Sequence, residues 1–179
     1  MTLRLRATAL VSVAAASMTL AACQAGDSEA DAAIEARLTA LEDKQAIEDL
    51  VTGYYNSLGH SSPEHYVEFY SEDAEMVMGG TVHSGREAIA DIYRGLGDTP
   101  QRRAAALNIA IDNLVIELDG DSARGRLFYT EYLAENEGET PQLFVQGREF
   151  DHFTKVDGKW YFQRRELLGG RDMPEGWED

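Results

Sequence analysis

Hydrophobic residues recur at intervals of three and four between Asp31 and Leu58, a spacing that is typical of an amphipathic helix. The apolar positions on this face are Ile34, Leu38, Leu41, Ile47, Leu50, Val51, Tyr54, Tyr55 and Leu58. The pattern predicts one long helix, or two that are nearly continuous. Its apolar face needs a sheet or a partner to cover it.

Two shorter helices are predicted next. Pro63 can occupy the first turn of one of them, with Ser61 or Ser62 as the capping residue. The face with which this helix packs would consist of Tyr66, Phe69 and Tyr70. The other helix follows Gly85 and ends near Gly95. Its buried face would consist of Ala88, Ile89, Ile92, Tyr93 and Leu96.

Strand-like alternation dominates the second half of the chain. Short strands are predicted over 75–78 and 81–83, and four long strands over 105–118, 122–134 and the two arms of a hairpin spanning 147–165. A change of phase near Asp112-Asn113 predicts a β-bulge. The Asp157-Gly158 dipeptide predicts a two-residue turn. This order of elements predicts an α+β domain in which a curved antiparallel sheet wraps around the long N-terminal helix, with two further helices.

Residues 1–22 have the features of an export signal. Arg4 and Arg6 precede an apolar run, 7–20, that is too short to span a bilayer as a stable helix. The run ends in Leu-Ala-Ala-Cys23, which resembles the bacterial lipoprotein pattern and implies cleavage before Cys23 with a lipid attached to its sulfur. An ordinary secretory signal with an incidental cysteine is the alternative. The lipoprotein pattern predicts an exported protein anchored on the periplasmic side of the cell envelope.

The rest of the chain is predicted to divide into a lipidated tether at 23–30, one folded domain at 31–168 and an acidic tail at 169–179, which has too few apolar residues to form an element. The formal net charge is −16, and removal of residues 1–22 would make it −18. Such a surface repels nucleic acid and anionic headgroups, so neither is an expected partner. Because Cys23 is the only cysteine, no disulfide is expected and an apolar core must hold the fold.

The first arm of the closing hairpin has an unusual mixture of side chains on both faces. Glu149 and Asp151 share one face with Phe153, whereas Arg148 and His152 lie on the other. A strand at the surface would keep one face uniformly polar. The mixture therefore indicates that one face lines a cavity in which polar groups lie among apolar ones.

Several segments are similar, in order and spacing, to those of SnoaL-like proteins of the nuclear transport factor 2 superfamily. They lie within residues 40–167 and are 47–54, 71–74, 85–89, 113–121, 147–153 and 158–164. The resemblance implies a cone-shaped α+β barrel with a pocket between the first helix and the concave sheet. Relatives use that pocket to dehydrate, isomerise or cyclise polyketide-like and steroid-like molecules, or only to bind ligands. It also implies a homodimer formed through the outer faces of two sheets.

The resemblance also locates the catalytic groups that enzymatic relatives use. Their acid lies about five positions after the helix tyrosine, and their histidine lies four positions before the asparagine that corresponds to Asn113. These places fall on Gly59 and Ile109, neither of which can move a proton. Asp151 matches the strand aspartate of the family, whereas Glu149 stands where a tyrosine is usual.

Glu149 and Asp151 are the candidate catalytic residues, with Tyr54 or Tyr55 as a hydrogen-bond donor. Two carboxylates that point into a poorly solvated space repel each other, which would raise the pKa of one of them and suit it to acid/base chemistry. The alternative is that an arginine on a neighbouring strand pairs with at least one of them. The arginines available are Arg126, Arg148, Arg164 and Arg165.

The candidate ligand-binding residues are Tyr55, Asn108, Tyr129, Glu131 and Trp160. A buried tyrosine can orient a substrate oxygen, and it can equally be part of the core with its hydroxyl bonded. No metal is expected, because the four histidines are scattered over 60, 65, 83 and 152. No cofactor is expected either, since the chain has no glycine-rich phosphate loop.

Two functions therefore remain open. In the first, an envelope lipoprotein binds a small, largely apolar molecule without chemistry. In the second, a dehydratase or isomerase uses Asp151 or Glu149 as its base.

Overall fold

The structure is a computed structural model, and it describes residues 14–59, 61–95, 99–100, 104–170 and 173–177. Two compact units are present, residues 1–42 and residues 43–179. The elements are α1 Ala14–Ser57, α2 Pro63–Tyr66, a 3-10 turn Val67–Phe69, β1 Tyr70–Met78, β2 Thr81–Ser84, α3 Arg86–Gly95, β3 Ala106–Asp119, β4 Ser122–Ala134, β5 Gln142–Val156 and β6 Lys159–Leu168.

Helix α1 begins earlier than its apolar pattern predicts. It starts at Ala14 rather than at Asp31 and so includes the range 23–30 that was predicted as a tether. Alanine-rich sequence favours the helix even without a periodic apolar face. Residues 1–13 of the predicted export signal lie outside the described residues.

The apolar face of α1 is covered only in the second unit. In the first unit, Ile34, Leu38 and Leu41 are each more than half exposed. In the second unit, Ile47 and Val51 are completely buried. The helix therefore contributes to the core of the second unit through its last three turns.

Six strands form one sheet in the order β2-β1-β6-β5-β4-β3. Neighbouring strands are antiparallel except for β1 and β6, which are parallel. The α+β class and the four long antiparallel strands that the sequence predicts are confirmed. The parallel pairing of β1 was not predicted, because parallel neighbours are distant in sequence and leave no turn signal between them.

The predicted cap and start of α2 are confirmed, but the helix is shorter than expected. Ser62 accepts a hydrogen bond from the backbone N–H of His65, and Pro63 is the first helical residue. After the 3-10 turn, the backbone at Tyr70 is extended (φ −104°, ψ 150°). Tyr70 is therefore the first residue of β1 and does not belong to a helix face. Leu96, predicted on α3, lies outside the described residues.

Both predicted backbone irregularities are present. Asn113 has φ 55°, and the register of β3 against β4 shifts between Asp112 and Val115. The turn after β5 has positive φ at Asp157 (50°) and Gly158 (79°). A further register shift, not predicted, occurs between β5 and β6, where Phe153 pairs with Phe162 and the next pair is His152 with Arg164.

The described residues of the C-terminal tail form no helix or strand, but they contribute to packing. Trp177 is buried, and its ring lies 5.2 Å from that of Phe150 on the outer face of β5. The expectation that the tail forms no element agrees with its described residues. Its packing was not predicted, and it depends on one large aromatic ring that covers as much surface as several small apolar residues.

Among the described residues, no helix has an apolar stretch long enough to cross a membrane.

Candidate functional site

Glu149 and Asp151 both lie on the concave face of β5 and are completely buried. On the neighbouring strands, Leu127 pairs with Glu149 and Arg165 pairs with Asp151. Burying a charge without a partner costs roughly several kcal/mol. The groups around these two carboxyls therefore determine their chemistry.

Arg165 forms an ion pair with Glu149 that includes one hydrogen bond. Its Nε donates to Oε1 of Glu149 at 2.9 Å, and its Nη2 lies 2.5 Å from Oε2. A hydrogen bond between two charged groups is roughly twice as strong as one between neutral groups. Of the four arginines considered as partners, Arg165 is the one that makes the buried pair.

Aromatic side chains enclose the guanidinium of Arg165. Its Cζ lies 3.9 Å from the ring centroid of Tyr54 and 4.5 Å from that of Phe162, and its Nη1 donates to the Tyr70 hydroxyl at 2.8 Å. Burial acts to lower the pKa of Arg165, but the charge of Glu149 raises it, and the pKa lies above its ordinary value. Arg165 therefore keeps its charge inside the core.

Tyrosine hydroxyls extend this hydrogen-bonded cluster. Tyr55 donates to Oε2 of Glu149, so both oxygens of that carboxylate are engaged. The hydroxyls of Tyr54 and Tyr70 each lie 2.8 Å from the hydroxyl of Tyr93 on α3. Burial raises the pKa of Tyr55, Tyr70 and Tyr93, which keeps these three hydroxyls protonated. The hydroxyl of Tyr54, a candidate donor to a ligand, thus has a protein partner.

The surroundings of Asp151 differ from those of Glu149. Among the described residues, neither oxygen of Asp151 has a hydrogen-bond partner, and Nε of Arg165 lies 3.6 Å from Oδ1. Burial and the charge of Glu149 raise the pKa of Asp151 well above its usual range. Asp151 therefore keeps its proton to a higher pH than an exposed aspartate does, beside a carboxyl that is already paired with Arg165.

Tyr129 and Glu131 lie on the concave face of β4 and are half-buried. The ring of Tyr129 rests against Gly147 on β5, where an added Cβ would come within 2.4 Å of the phenolic oxygen. Burial, with the charges of Glu131 and Glu149, raises the pKa of Tyr129. These two candidate ligand-binding residues are accessible, unlike the buried carboxyls.

The structure separates the other candidate ligand-binding residues. Asn108 pairs with Tyr132 and is exposed on the outer face, since Ile109 takes the concave position beside it. The prediction that Asn108 lines the same space as Tyr129 is therefore wrong. Trp160 is buried and donates from Nε1 to Asp43 at 2.9 Å, and Tyr55 is buried with its hydroxyl on Glu149.

The described histidines lie apart from this cluster. His152 is on the outer face of β5, 5.4 Å from the Trp177 ring, and His65 lies 3.2 Å from Glu68 at the surface. His83 is on β2, and His60 lies outside the described residues. In the part of the chain that the structure describes, no group of three His, Cys, Asp or Glu side chains could hold a metal ion.

Sequence reasoning did not identify Arg165 as the buried partner of Glu149. Strict alternation from Trp160 and Phe162 places residue 164 on the concave face and residue 165 outside. The register shift between β5 and β6 reverses this phase, so that Arg165 faces Asp151. No turn residue marks that shift, and the sequence offers no signal for it.

An open cavity of about 720 Å³ lies at the ends of β4 and β5. Leu133 contributes to its wall and follows Tyr129 and Glu131 along the concave face of β4. The other lining residues are Pro100, Ala104, Ala134, Glu135, Asn136, Glu139, Thr140, Gln142, Leu143 and Phe144. Two smaller cavities of about 570 and 280 Å³ lie elsewhere, and the described residues that line these three cavities include neither Glu149 nor Asp151.

A model of the SnoaL-like domain matches residues 39–166. The chain belongs to the SnoaL-like family. Its matched region includes Tyr54, Glu149, Asp151 and Arg165, so the buried cluster lies inside the SnoaL-like domain. A search of the curated proteins gives no match.

Solved structures agree with this assignment. An NTF2-like protein with a cystatin-like fold from Novosphingobium aromaticivorans is 25% identical, with a TM-score of 0.66 over 76% of this chain and 89% of that one. A candidate scytalone dehydratase from the same organism is 24% identical, with a TM-score of 0.61 over 79% and 98%. A candidate aromatic ring hydroxylase, again from that organism, is 20% identical, with a TM-score of 0.58 over 71% and 88%. At these identities the last two show the fold alone.

Proposed function

We propose that this SnoaL-like domain binds a small, largely apolar molecule without chemistry, at the end of the sheet where β4 and β5 form the 720 Å³ cavity. The observation that carries the proposal is that Arg165 and Tyr55 already engage both oxygens of Glu149 inside a closed core. A carboxylate held in this way stabilises the fold and is poorly placed to act as a base.

The cavity has the size and lining that suit a small ligand. Ligand sites typically measure roughly 300–1,000 Å³ and combine apolar walls with a few polar groups. Here Leu133, Leu143 and Phe144 supply apolar surface, of which Leu143 is 64% exposed. Asn136 and Gln142 supply amide groups that can orient a ligand.

Replacement of Leu133 by glutamine should weaken binding of a neutral apolar probe. We expect N-phenyl-1-naphthylamine to show saturable fluorescence enhancement with the wild type, and an apparent Kd raised about three- to tenfold in Leu133→Gln, since one apolar contact contributes about 1 kcal/mol. Titration of the probe into each protein measures the effect.

Val156→Gln is the matched control. Val156 is exposed at the opposite end of β5, beside the Asp157 turn, and lines none of the three cavities. Its variant should bind the probe as the wild type does. Equal binding by all three proteins would place the ligand elsewhere and refute this site.

An enzyme of the dehydratase or isomerase kind is the second candidate, and the state of Asp151 favours it. A carboxyl with a raised pKa is what a general acid needs. Such an enzyme would require substrate to reach Asp151, which is completely buried. Loss of water from β-hydroxy ketone substrates, followed by enone absorbance, would support this candidate if the wild type turned them over and a folded Asp151→Asn variant did not.

The lipoprotein pattern supports an anchored, exported protein as part of the same proposal. We expect the chain to incorporate labelled palmitate when it is produced in a bacterial host, and Cys23→Ser to abolish the label while the protein still accumulates. Fractionation of the labelled cells should place the wild type with the membranes. Labelling of the Cys23→Ser variant would contradict attachment at this sulfur.

A homodimer through the outer faces of two sheets is supported by the resemblance and by exposed apolar residues on that face. Val115, Phe128 and Tyr132 lie there and are each more than one third exposed. The molar mass in solution of chains lacking residues 1–22 tests this proposal, since a monomeric value at high protein concentration would exclude it.

A further inference from the structure

Residues 173–177 of the C-terminal tail lie on the outer face of the sheet, where Trp177 makes the main contacts. Trp177 is 8% exposed, and its ring contacts Phe150 and His152 of β5 at centroid distances of 5.2 and 5.4 Å. Its backbone N–H donates to the Pro174 carbonyl at 3.3 Å, which closes a turn over Gly176. The Trp177 side chain thus fixes residues 173–177 to a site on the sheet that includes Phe150 and His152. This site is called the seat below.

Arg124 on β4 forms the polar side of this seat. Its Nη1 donates to the carbonyl of Gly176 at 2.9 Å, and its Cζ lies 4.9 Å from the Trp177 ring centroid. Its Nη2 donates to Glu117 on β3 at 2.8 Å, which fixes the orientation of the guanidinium. One arginine therefore contacts both the backbone and the ring of the tail.

The charges of the two surfaces are complementary. Arg124, Arg126 and Arg148 all project from the outer face of β4 and β5, although the whole chain has a net charge of −16. Residues 171–179 contain four acidic residues and one arginine. An acidic segment with one tryptophan thus meets an arginine-bearing face.

The way in which the tail is attached allows residues 173–177 to detach from the sheet. Gly169 and Gly170 separate it from β6, and Gly170 has φ 70°. Residues 173–177 pair with no strand of the sheet. Removal of residues 173–177 from the sheet would therefore break the ring contacts of Trp177 and the hydrogen bond from Arg124 to Gly176, but no ladder of backbone hydrogen bonds.

We propose that the seat around Arg124, Phe150 and His152 is a peptide-binding site for a short acidic segment bearing a tryptophan. The chain's own residues 173–177 occupy it in this structure, and the same segment of a second copy binds there when the chain's own tail has left. A segment of the same chain has an effective concentration roughly in the millimolar range, so the chain's own tail binds in preference to the tail of a second copy. The seat is separate from the cavity of the proposed function.

A labelled peptide tests this inference. The peptide Arg-Asp-Met-Pro-Glu-Gly-Trp-Glu-Asp, which copies residues 171–179, stands in for the tail of a second copy. We expect it to bind full-length Trp177→Ala, whose own tail cannot fill the seat, at least tenfold more tightly than it binds the wild type. Fluorescence anisotropy measures both affinities. A peptide with alanine in place of tryptophan should not bind.

Arg124→Gln, added to Trp177→Ala, should weaken peptide binding at least tenfold. Arg94→Gln is the matched control, because the Arg94 side chain is exposed, pairs with Asp91 and Glu87 on the same helix, and does not belong to the strands that form the seat. Its addition should leave the affinity unchanged. Failure of folded Trp177→Ala to bind the peptide, or binding that ignores Arg124→Gln, would overturn the inference.

A second measurement needs no substitution of the tryptophan. Trp160 and Trp177 are the only tryptophans of the chain, and both are buried. Single Arg124→Gln should raise acrylamide quenching of tryptophan emission, because the tail leaves its seat. Quenching equal to that of the wild type would show that Arg124 does not hold the tail and would also overturn the inference.

Discussion

Arg165→Leu should lower the free energy of unfolding by about 3–5 kcal/mol, because it leaves Glu149 charged and unpaired in the core. The same change removes the donor to Tyr70 and the cation that packs on Tyr54. Urea unfolding followed by circular dichroism measures the loss. A decrease below about 1 kcal/mol would mean that Glu149 finds another partner or takes up a proton.

Two further variants separate the buried pair from a general loss of arginine. Arg164→Leu, at the adjacent position, removes partly exposed pairs with Glu75 and Glu166 and should cost about 0–1 kcal/mol. Glu149→Leu combined with Arg165→Leu should recover more than half of the loss, since an apolar pair of similar volume needs no compensation. A double variant as unstable as Arg165→Leu alone would contradict this explanation.

Asp151→Asn should stabilise the protein increasingly as the pH rises above about 4, the ordinary pKa of an aspartate in an unfolded chain. The folded pKa of Asp151 is raised, so the folded state holds a proton that the unfolded state releases. The stability that this proton contributes is fully present below the unfolded pKa and is lost as the pH rises towards the folded pKa. In that window the loss is about 1.4 kcal/mol per pH unit.

Asparagine has nearly the same shape as aspartic acid and does not ionise, so it removes this dependence on pH. Urea unfolding of the wild type and of Asp151→Asn, at intervals from pH 4 to pH 8, should give curves that diverge with the wild type lower. Parallel curves would show that Asp151 ionises equally in both states. Because Glu149 adjoins Asp151 and adds to the rise of its pKa, the measured profile belongs to the pair.

The sequence predicts the elements of this fold well where a local signal exists. Periodicity identified the helices and long strands, and the Asp157-Gly158 dipeptide identified the last turn. The prediction failed where pairing between residues distant in sequence determines the structure. Tyr70, for example, joins β1 because β6 offers it a parallel partner. Trp177 was missed for the same reason, since its burial depends on a strand far away in sequence.

The candidate site was predicted only in part. The period of a strand was enough to place Glu149 and Asp151 on one face, and both proved to be buried. The period of the strand alone could not predict that Arg165 joins them, because one extra residue in β6 moves the following side chains to the opposite face. The same reasoning placed Asn108 on the concave face, although Ile109 is the residue that packs there.

The partners of Glu149 also determine when the domain can be completed during synthesis. Tyr55 and Arg165 are 110 residues apart, and β1 finds its parallel neighbour only in the last strand. Contacts between such distant residues form late and slow the search for the native state. In a nascent chain that lacks β6, Glu149 would have only the hydrogen bond from Tyr55, and β1 would pair with β2 alone. The domain therefore depends on its final strand before it can hold its shape on leaving the ribosome.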